Sequence, residues 1–349
     1  LGHIAYNDGL MDIARTAFER YLTYSERMLA IAPDSTDAMM EVAYAQNSLG
    51  SLEYENFEFS KSIEYFSASL KLKQYIAEQN PDDLDAQLYA ADTLSWIASA
   101  TVHNGEYDKA LKLYETAEKT FENLYISYGN NAAIIENFVA TMYQKALLAK
   151  QLKYDEIRNQ TLERAYSTVR NATTQDVKNS EWQFDLASIE VQLLLSDSEL
   201  KSDIDPQGTL EKILKLNKEW LLFPLIEYFQ SKKEWEVASK ILLHAETIRS
   251  KSAIKTNLSF TEYITKTKYL LAKFVQGTQT LEQAELACLC RAIDKVTTEL
   301  VKKSSHPEVT MRIMFTQNCL NPNVENKQAL KGQIAILSAP YYFNFLKKE

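Results

Sequence analysis

An all-α fold, a right-handed superhelical solenoid of antiparallel helix hairpins, is predicted by three features of this 349-residue chain. The first is a shortage of chain breakers: 8 glycines and 7 prolines make up about 4% of the residues, against roughly 12% in an average protein. Long helices with few turns follow, and an all-β sandwich does not fit. The second is a repeat. Ala32-Pro33-Asp34-Ser35, Asn80-Pro81-Asp82-Asp83 and Tyr128-Gly129-Asn130-Asn131 succeed one another at 48-residue intervals, each a helix stop followed by a polar start. The third is spacing within each unit, where apolar residues recur every three to four positions, as on one face of a helix.

The elements follow in order from that register. Leu1-Gly2, Leu49-Gly50, Ile97-Ala98 and Lys145-Ala146 share one column, Phe18, Phe66, Tyr114 and Leu162 a second, and Tyr21, Ser69, Ala117 and Ala165 a third. The chain therefore enters its first repeat partway through the first helix, and Leu1, Ile4 and Ala5 are expected to be under-packed. Helix pairs are predicted at 36–56/58–80, 83–103/106–128 and 131–151/155–172. Each unit divides near its middle, most clearly at His103-Asn104-Gly105-Glu106-Tyr107. Leu94, Ile97, Ala98 and Thr101 share one face before that turn; Leu111, Tyr114 and Ala117 share another after it. Small residues recur where paired helices meet: Ala14, Ser62 and Ala110, with Gly2, Gly50 and Ala98 across from them. One hairpin cannot bury its apolar stripe alone, so neighbours must stack.

The residues that carry the pattern, Ile97-Ala98, Gly105, Tyr107, Ala110, Tyr114 and Ala117, resemble the tetratricopeptide-repeat signature. The unit is longer than the usual one, each helix gaining roughly two turns over the 34-residue form. Glu41 to Gly50 and Ala91 to Ile97 are similar to long-repeat arrays of modular bacterial signalling proteins. The resemblance covers about 1–170. In the fourth repeat Lys145, Lys153 and Arg158 stand where the pattern has leucine, glycine and alanine. The resemblance implies an array downstream of an effector module such as a kinase, a winged-helix domain or a nucleotide-binding switch.

Two regions are expected: a regular array over 1–177 and a degenerate helical region over 178–349, where the strict period is lost. In the second, Ser180 caps a helix to about Ser198 with Trp182, Leu186, Ile189 and Leu193 on one side, and Lys201 to Gly208 reads as a loop. Leu225, Phe229, Trp235, Ala238, Leu242 and Ala245 repeat the unit's spacing. Further helices are expected at 257–276, 280–303, 307–319 and 324–337, followed by an aromatic tail at 340–345.

Chemistry is largely excluded by what the chain lacks. His3, His103, His244 and His306 are widely separated, and no metal-ligand spacing, phosphate-cradling glycine loop or nucleophile elbow is present. Cys288 and Cys290 lie two apart on a predicted helix and so point to different faces, and with Cys319 they make no disulfide framework. Asp82-Asp83 and Asp155-Glu156 sit at helix starts, where the helix dipole accounts for them. No catalytic, metal or cofactor site is expected, and the protein is read as a non-enzyme. No apolar stretch reaches the roughly 18 residues that span a bilayer, so membrane insertion of this segment is not expected. The compartment stays open between the cytoplasm and, should a membrane helix precede Leu1, the periplasm.

Binding is the remaining function. Residues 1–177 hold 15 basic and 26 acidic groups, and the net charge of the chain is −9, which leads to an expectation of no nucleic-acid partner. In a stacked hairpin array the first helices line one wall. Their outward positions give a candidate peptide groove of Tyr44, Asn47, Ser51 and Tyr54, then Asp92, Ser95, Ser99 and His103, then Tyr143, Leu147 and Lys150. The leading reading is a protein- or peptide-binding sensor or scaffold; the alternative is a self-association module that holds copies of an upstream effector together as a homo-oligomer.

Overall fold

The computed structural model describes residues 1–129, 131–216 and 219–250, with isolated helical positions at Lys273, Leu289, Arg291, Ala292 and Lys295. Apart from those positions, the helices expected at 257–276, 280–303, 307–319 and 324–337, the 340–345 tail, Cys288, Cys290, Cys319 and His306 lie outside the described residues. Among the described residues the chain is an all-α solenoid: α1 (Gly2–Asn7), α2 (Met11–Ile31), α3 (Thr36–Glu55), α4 (Phe59–Gln79), α5 (Leu84–His103), α6 (Tyr107–Tyr128), α7 (Ala132–Leu152), α8 (Asp155–Gln175), α9 (Ser180–Leu194), a 3-10 turn (Glu199–Asp203), α10 (Pro206–Leu216), α11 (Glu219–Ser231) and α12 (Trp235–Ser250). The chain forms two compact units, Leu1–Lys145 and Ala146–Glu349.

Polar caps set the beginnings of α3, α5, α7 and α9. Ser35, Asp83 and Asn131 accept a hydrogen bond from the backbone N–H three residues on, at 3.2, 3.0 and 3.3 Å. Asn179 does the same for Glu181 and Trp182 at 3.0 and 3.1 Å. Each such cap contributes about 1 kcal/mol. The 48-residue register of helix starts thus runs on to Ser180, one helix beyond the point where residue identities stop repeating.

The turn inside each hairpin is also one structure repeated. Gly9, Phe57, Gly105 and Lys153 all have positive φ, of 74, 67, 84 and 60°. The N–H of the next residue reaches back five positions, from Leu10, Glu58, Glu106 and Tyr154 to the carbonyls of Ala5, Glu53, Thr101 and Ala149, at 2.8 to 3.1 Å. Lys233, φ 62°, forms the same turn between α11 and α12, with Glu234 N–H 2.9 Å from the Phe229 carbonyl. A left-handed residue with a Cβ costs about 1 kcal/mol or more relative to glycine. Lys153 is exposed, so Lys153→Gly is expected to raise stability by about 0.5–1 kcal/mol, the extra freedom of glycine in the unfolded chain taking back part of the gain. Urea unfolding checks this, and a loss of stability would contradict it.

In the first unit each helix packs on its chain neighbours, α1 on α2, α2 on α3, α3 on α4, α4 on α5 and α5 on α6. Close approach within the α3/α4 hairpin rests on small residues: Ser62 Oγ donates to the Gly50 carbonyl at 2.9 Å, and Ser69 Oγ to the Ala43 carbonyl at 2.8 Å. Ala14, Ala110 and Ala117 are fully buried in the same way. Leu1 and Ile4 are exposed, as expected. Ala5 is not: it is 4% exposed and packs with Ala14, Phe18, Leu49 and Leu52.

In the second unit two expectations are corrected. The helix from Ser180 stops at Leu194 rather than near Ser198, because buried Arg158 donates from Nη2 to the carbonyls of Gln192 and Leu195, at 3.3 and 2.8 Å, and takes them from any continuing turn. The loop expected over Lys201 to Gly208 is instead a 3-10 turn followed by the start of α10. Asp205 caps that start, accepting from the N–H of Gln207 and Gly208 at 3.0 Å, and Pro206 takes the first helical position, where its missing N–H costs nothing. Trp182, Leu186, Ile189 and Leu193 are all buried. Glu190, also buried, is held by Thr209 Oγ1 at 2.9 Å and Lys212 Nζ at 2.7 Å.

Candidate functional site

The first helices of successive repeats lie side by side in the first unit, and one polar link between them is used twice. Thr93 Oγ1 of α5 donates to Asn47 Oδ1 of α3 at 3.4 Å, and one repeat later Thr141 Oγ1 of α7 donates to Ser95 Oγ of α5 at 3.1 Å. Ring contacts reinforce the α3/α5 pair. Tyr44 meets Tyr89 edge-on at 5.8 Å, and Tyr54 meets Trp96 edge-on at 6.0 Å. The Trp96 ring also stacks on Phe66 at 6.0 Å, yet the residue keeps 39% of its surface exposed. Asp92, one turn before it on α5, accepts a hydrogen bond from the Trp96 side chain. A wall of this kind presents a large, rigid, half-open aromatic face beside a carboxylate.

Beneath the wall sits a lysine in a core position. Lys73 on α4 occupies the column held by Ser25 and Phe121 in the neighbouring repeats, and it is 2% exposed. Its ammonium donates to Thr93 Oγ1 at 2.6 Å and to Asn47 Oδ1 at 3.5 Å, and lies 5.9 Å from the Tyr44 ring centroid. Burial pushes its pKa down to about 8, a shift opposed by the nearby Asp92 carboxylate. Asp92 is itself pushed upward by burial, against the pull of Lys73 and the bond from Trp96. Polar groups of α3, α4 and α5 are thus tied together under the exposed tryptophan.

The lysine has a consequence for stability that carries a definite sign. Between about 8 and the ordinary lysine value of about 10.4, the unfolded chain binds this proton and the folded chain does not, so stability rises with pH across that window. Below it both states are protonated and the full cost of the buried charge remains. Asp92 acts oppositely: its raised value adds stability at low pH that is lost as pH rises through the folded pKa. Against Lys73→Met, the parent is expected to gain about 3 kcal/mol between pH 8 and 10.4. Parallel stability curves for the two proteins in denaturant titrations would contradict the assignment.

The residues singled out from sequence fall into three groups. Tyr44, Asn47 and Asp92 join the cluster just described, and Tyr54 and His103 stand edge-on at 5.5 Å, both also against Phe59. Ser95 and Ser99 serve packing: Ser95 receives Thr141, and Ser99 pairs with the buried Tyr114 hydroxyl at 2.8 Å. Ser51 and Tyr143 are half-buried on α3 and α7. Leu147 and Lys150 belong to the part of α7 in the second unit, where Lys150 lies 3.7 Å from Glu227 and its pKa is lowered by burial, with Glu227 opposing. Trp96 and Lys73 were not among the expected residues. A charged residue in a column otherwise held by Ser25 and Phe121 was the signal for Lys73; for Trp96 it was the shared helix face with Asp92, four residues earlier.

Fold and wall together define a helical-repeat solenoid with an aromatic, partly acidic face. No protein-family model matches the chain, and among curated proteins there is no match. Solved structures similar to it include the following two. The crystal structure of BtubC (BKLC) from P. vanneervenii has 17% identity and a TM-score of 0.48, covering 71% of this chain and 95% of that one. The human IFIT1 dimer with m7Gppp-AAAA has 12% identity and a TM-score of 0.36, covering 93% of this chain and 68% of that one.

The expectation of no nucleic-acid partner is corrected: one of these structures holds m7Gppp-AAAA, and the acidic balance of 1–177 is by itself no ground for excluding nucleic acid. The physical reason is that a charge sum does not locate charges: Arg20 and Arg27 are both exposed on α2 of an acidic unit. Among the described residues no group of acidic, histidine or cysteine side chains has metal-site geometry, and no helix is long and apolar enough to cross a membrane.

Proposed function

We propose that the chain is the peptide-binding tetratricopeptide-type array of a larger bacterial signalling protein, and that an extended segment lies along α3 and α5 with Trp96 as its central anchor. The observation that carries this reading is the half-open Trp96 ring, held rigid by Tyr54 and Phe66 and flanked by Asp92. Aromatic side chains of this kind offer large contact area at low rotamer cost, and such residues dominate binding energy where they meet a partner. The Asp92 carboxylate beside the ring favours a segment carrying lysine or arginine. The repeat signature of Ile97-Ala98, Gly105, Tyr107, Ala110, Tyr114 and Ala117 supports the family and its signalling context. Occupancy of the wall would favour one arrangement of the hairpins, which an attached effector reads.

Selection of displayed random twelve-residue peptides against the immobilised chain tests the proposal. Enriched peptides are expected to carry basic residues and to lose about thirtyfold in affinity, about 2 kcal/mol, on Trp96→Ala. The variant should keep its helical circular dichroism. Enriched peptides that bind Trp96→Ala as tightly as the parent would overturn the reading.

A further inference from the structure

We propose that α5 recognises two arginines three positions apart in an extended segment, one stacked on Trp96 beside Asp92 and the other on Tyr89 beside Asp85. This rests on the wall being the binding surface and names what that surface selects. Asp85, Tyr89, Asp92 and Trp96 follow one another at intervals of four, three and four residues, which keeps them on one side of the helix. Acid and ring therefore alternate along it as two like pairs. The repeat does not ask for this pattern: at the same places α3 has Asp37, Glu41, Tyr44 and Ser48, and α7 has Ala133, Asn137, Ala140 and Gln144. The first acid recurs in α3, where the helix dipole favours it, but neither neighbour carries the two pairs.

The geometry at Trp96 fits a guanidinium better than an ammonium. Phe66 stacks on the indole and Tyr54 meets it edge-on, which leaves the ring rigid and partly open. The hydrogen bond from the Trp96 side chain sets the Asp92 carboxylate at the rim of that ring. A planar guanidinium can lie flat on the open ring and still donate to a carboxylate at its rim, whereas a lysine ammonium is a point donor that cannot stack. Lys73 spends its protons on Thr93 and Asn47. Among the described residues no lysine or arginine is in salt-bridge contact with Asp85 or Asp92, so both carboxylates keep acceptor positions for a ligand. At the other pair Tyr44 holds half-buried Tyr89 edge-on at 5.8 Å, and exposed Asp85 adds to the upward shift that burial gives the Tyr44 hydroxyl.

Helix rise fixes the spacing of the ligand. Seven residues separate Asp85 from Asp92 and Tyr89 from Trp96, which is about 10.5 Å along the axis. Three residues of polyproline II cover about 9.3 Å and return the fourth side chain to the side of the first. The long arginine arms absorb the difference. A segment of the form Arg-x-x-Arg in that conformation therefore meets both pairs, while adjacent arginines reach only one.

Three labelled peptides with identical flanks and the centres Arg-Pro-Pro-Arg, Lys-Pro-Pro-Lys and Arg-Arg-Pro-Pro are the probes, measured by fluorescence anisotropy against the full chain. The first is expected to bind roughly tenfold tighter than either of the others, the third having the same charge and composition. Asp85→Asn, at an exposed position, should keep the helical circular dichroism, weaken the first peptide roughly tenfold and leave the third nearly unchanged. No saturable binding of the first peptide, or Trp96-dependent binding of all three with equal affinity, would overturn this inference while selected peptides that need Trp96 keep the wall as the binding surface. Binding of the first peptide that is indifferent to Trp96→Ala would overturn both. Saturable, Trp96-dependent binding of labelled single-stranded oligouridine would also overturn the inference, by giving the rings to bases.

Discussion

Lys145→Leu, which restores the residue that the repeat pattern asks for, is expected to destabilise the protein by about 3 kcal/mol or more. Lys145 on α7 pairs with Glu118 on α6 at 2.7 Å, and the two side chains are only 12 and 8% exposed. Leucine would gain apolar burial but strip a buried carboxylate of its cation, and the second effect is larger. The double variant Lys145→Leu with Glu118→Leu removes both charges and is expected to recover most of the loss, since an apolar pair can replace a buried ion pair at little cost. Urea unfolding of the two variants and the parent measures both. A stabilised Lys145→Leu single variant would show that the pair contributes nothing.

Gly50→Ala is expected to cost about 2 kcal/mol through overpacking. A Cβ on Gly50 would stand 2.7 Å from Cδ1 and Cε1 of Phe66, a ring that is fully buried and has no free side to move into. The same chain shows the remedy two repeats later, where Ala146 and Leu162 occupy these columns and both are buried. Gly50→Ala combined with Phe66→Leu is therefore expected to be more stable than Gly50→Ala alone, an unusual result for a second large-to-small change in a core. If the double variant is the weaker of the two, the ring does not set the limit at Gly50. Thermal unfolding followed by circular dichroism decides.

Much of this architecture was legible in the sequence, for a physical reason. Caps and breakers act locally, so Pro33 and Pro81 with the polar starts at Ser35, Asp83 and Asn131 mark helix boundaries whatever the tertiary context. The helix pairs accordingly begin and end within about three residues of their expected places. What failed depended on partners distant in sequence. Arg158 reads as a defect in an alanine column until its donors are seen on the carbonyls of Gln192 and Leu195, which end α9 early. Lys145 reads as another defect until Glu118 is opposite it.

The wall was legible in part. Tyr44, Asn47 and Asp92 lie on the expected helix faces and share one cluster, because helical spacing alone decides which residues of a helix face together. Spacing says nothing of the layer beneath, so Lys73, which belongs to the other helix of its hairpin, was missed. It could not tell an open ring from a packed one either: Tyr54 is engaged with Phe59, Trp96 and His103, while Trp96 itself keeps an open side. The register of Asn179 was present in the sequence all along, hidden because the residues around it no longer match the earlier columns.

Amide hydrogen exchange on the chain with and without a peptide obtained by selection tests the central claim most directly, because it places the bound segment on the molecule. The account predicts added protection on α3 and α5 around Tyr44, Asp92 and Trp96, abolished by Trp96→Ala, with α8 and α9 unchanged. Protection confined to α8, α9 or α12, with α3 and α5 exchanging as in the free chain, would contradict it.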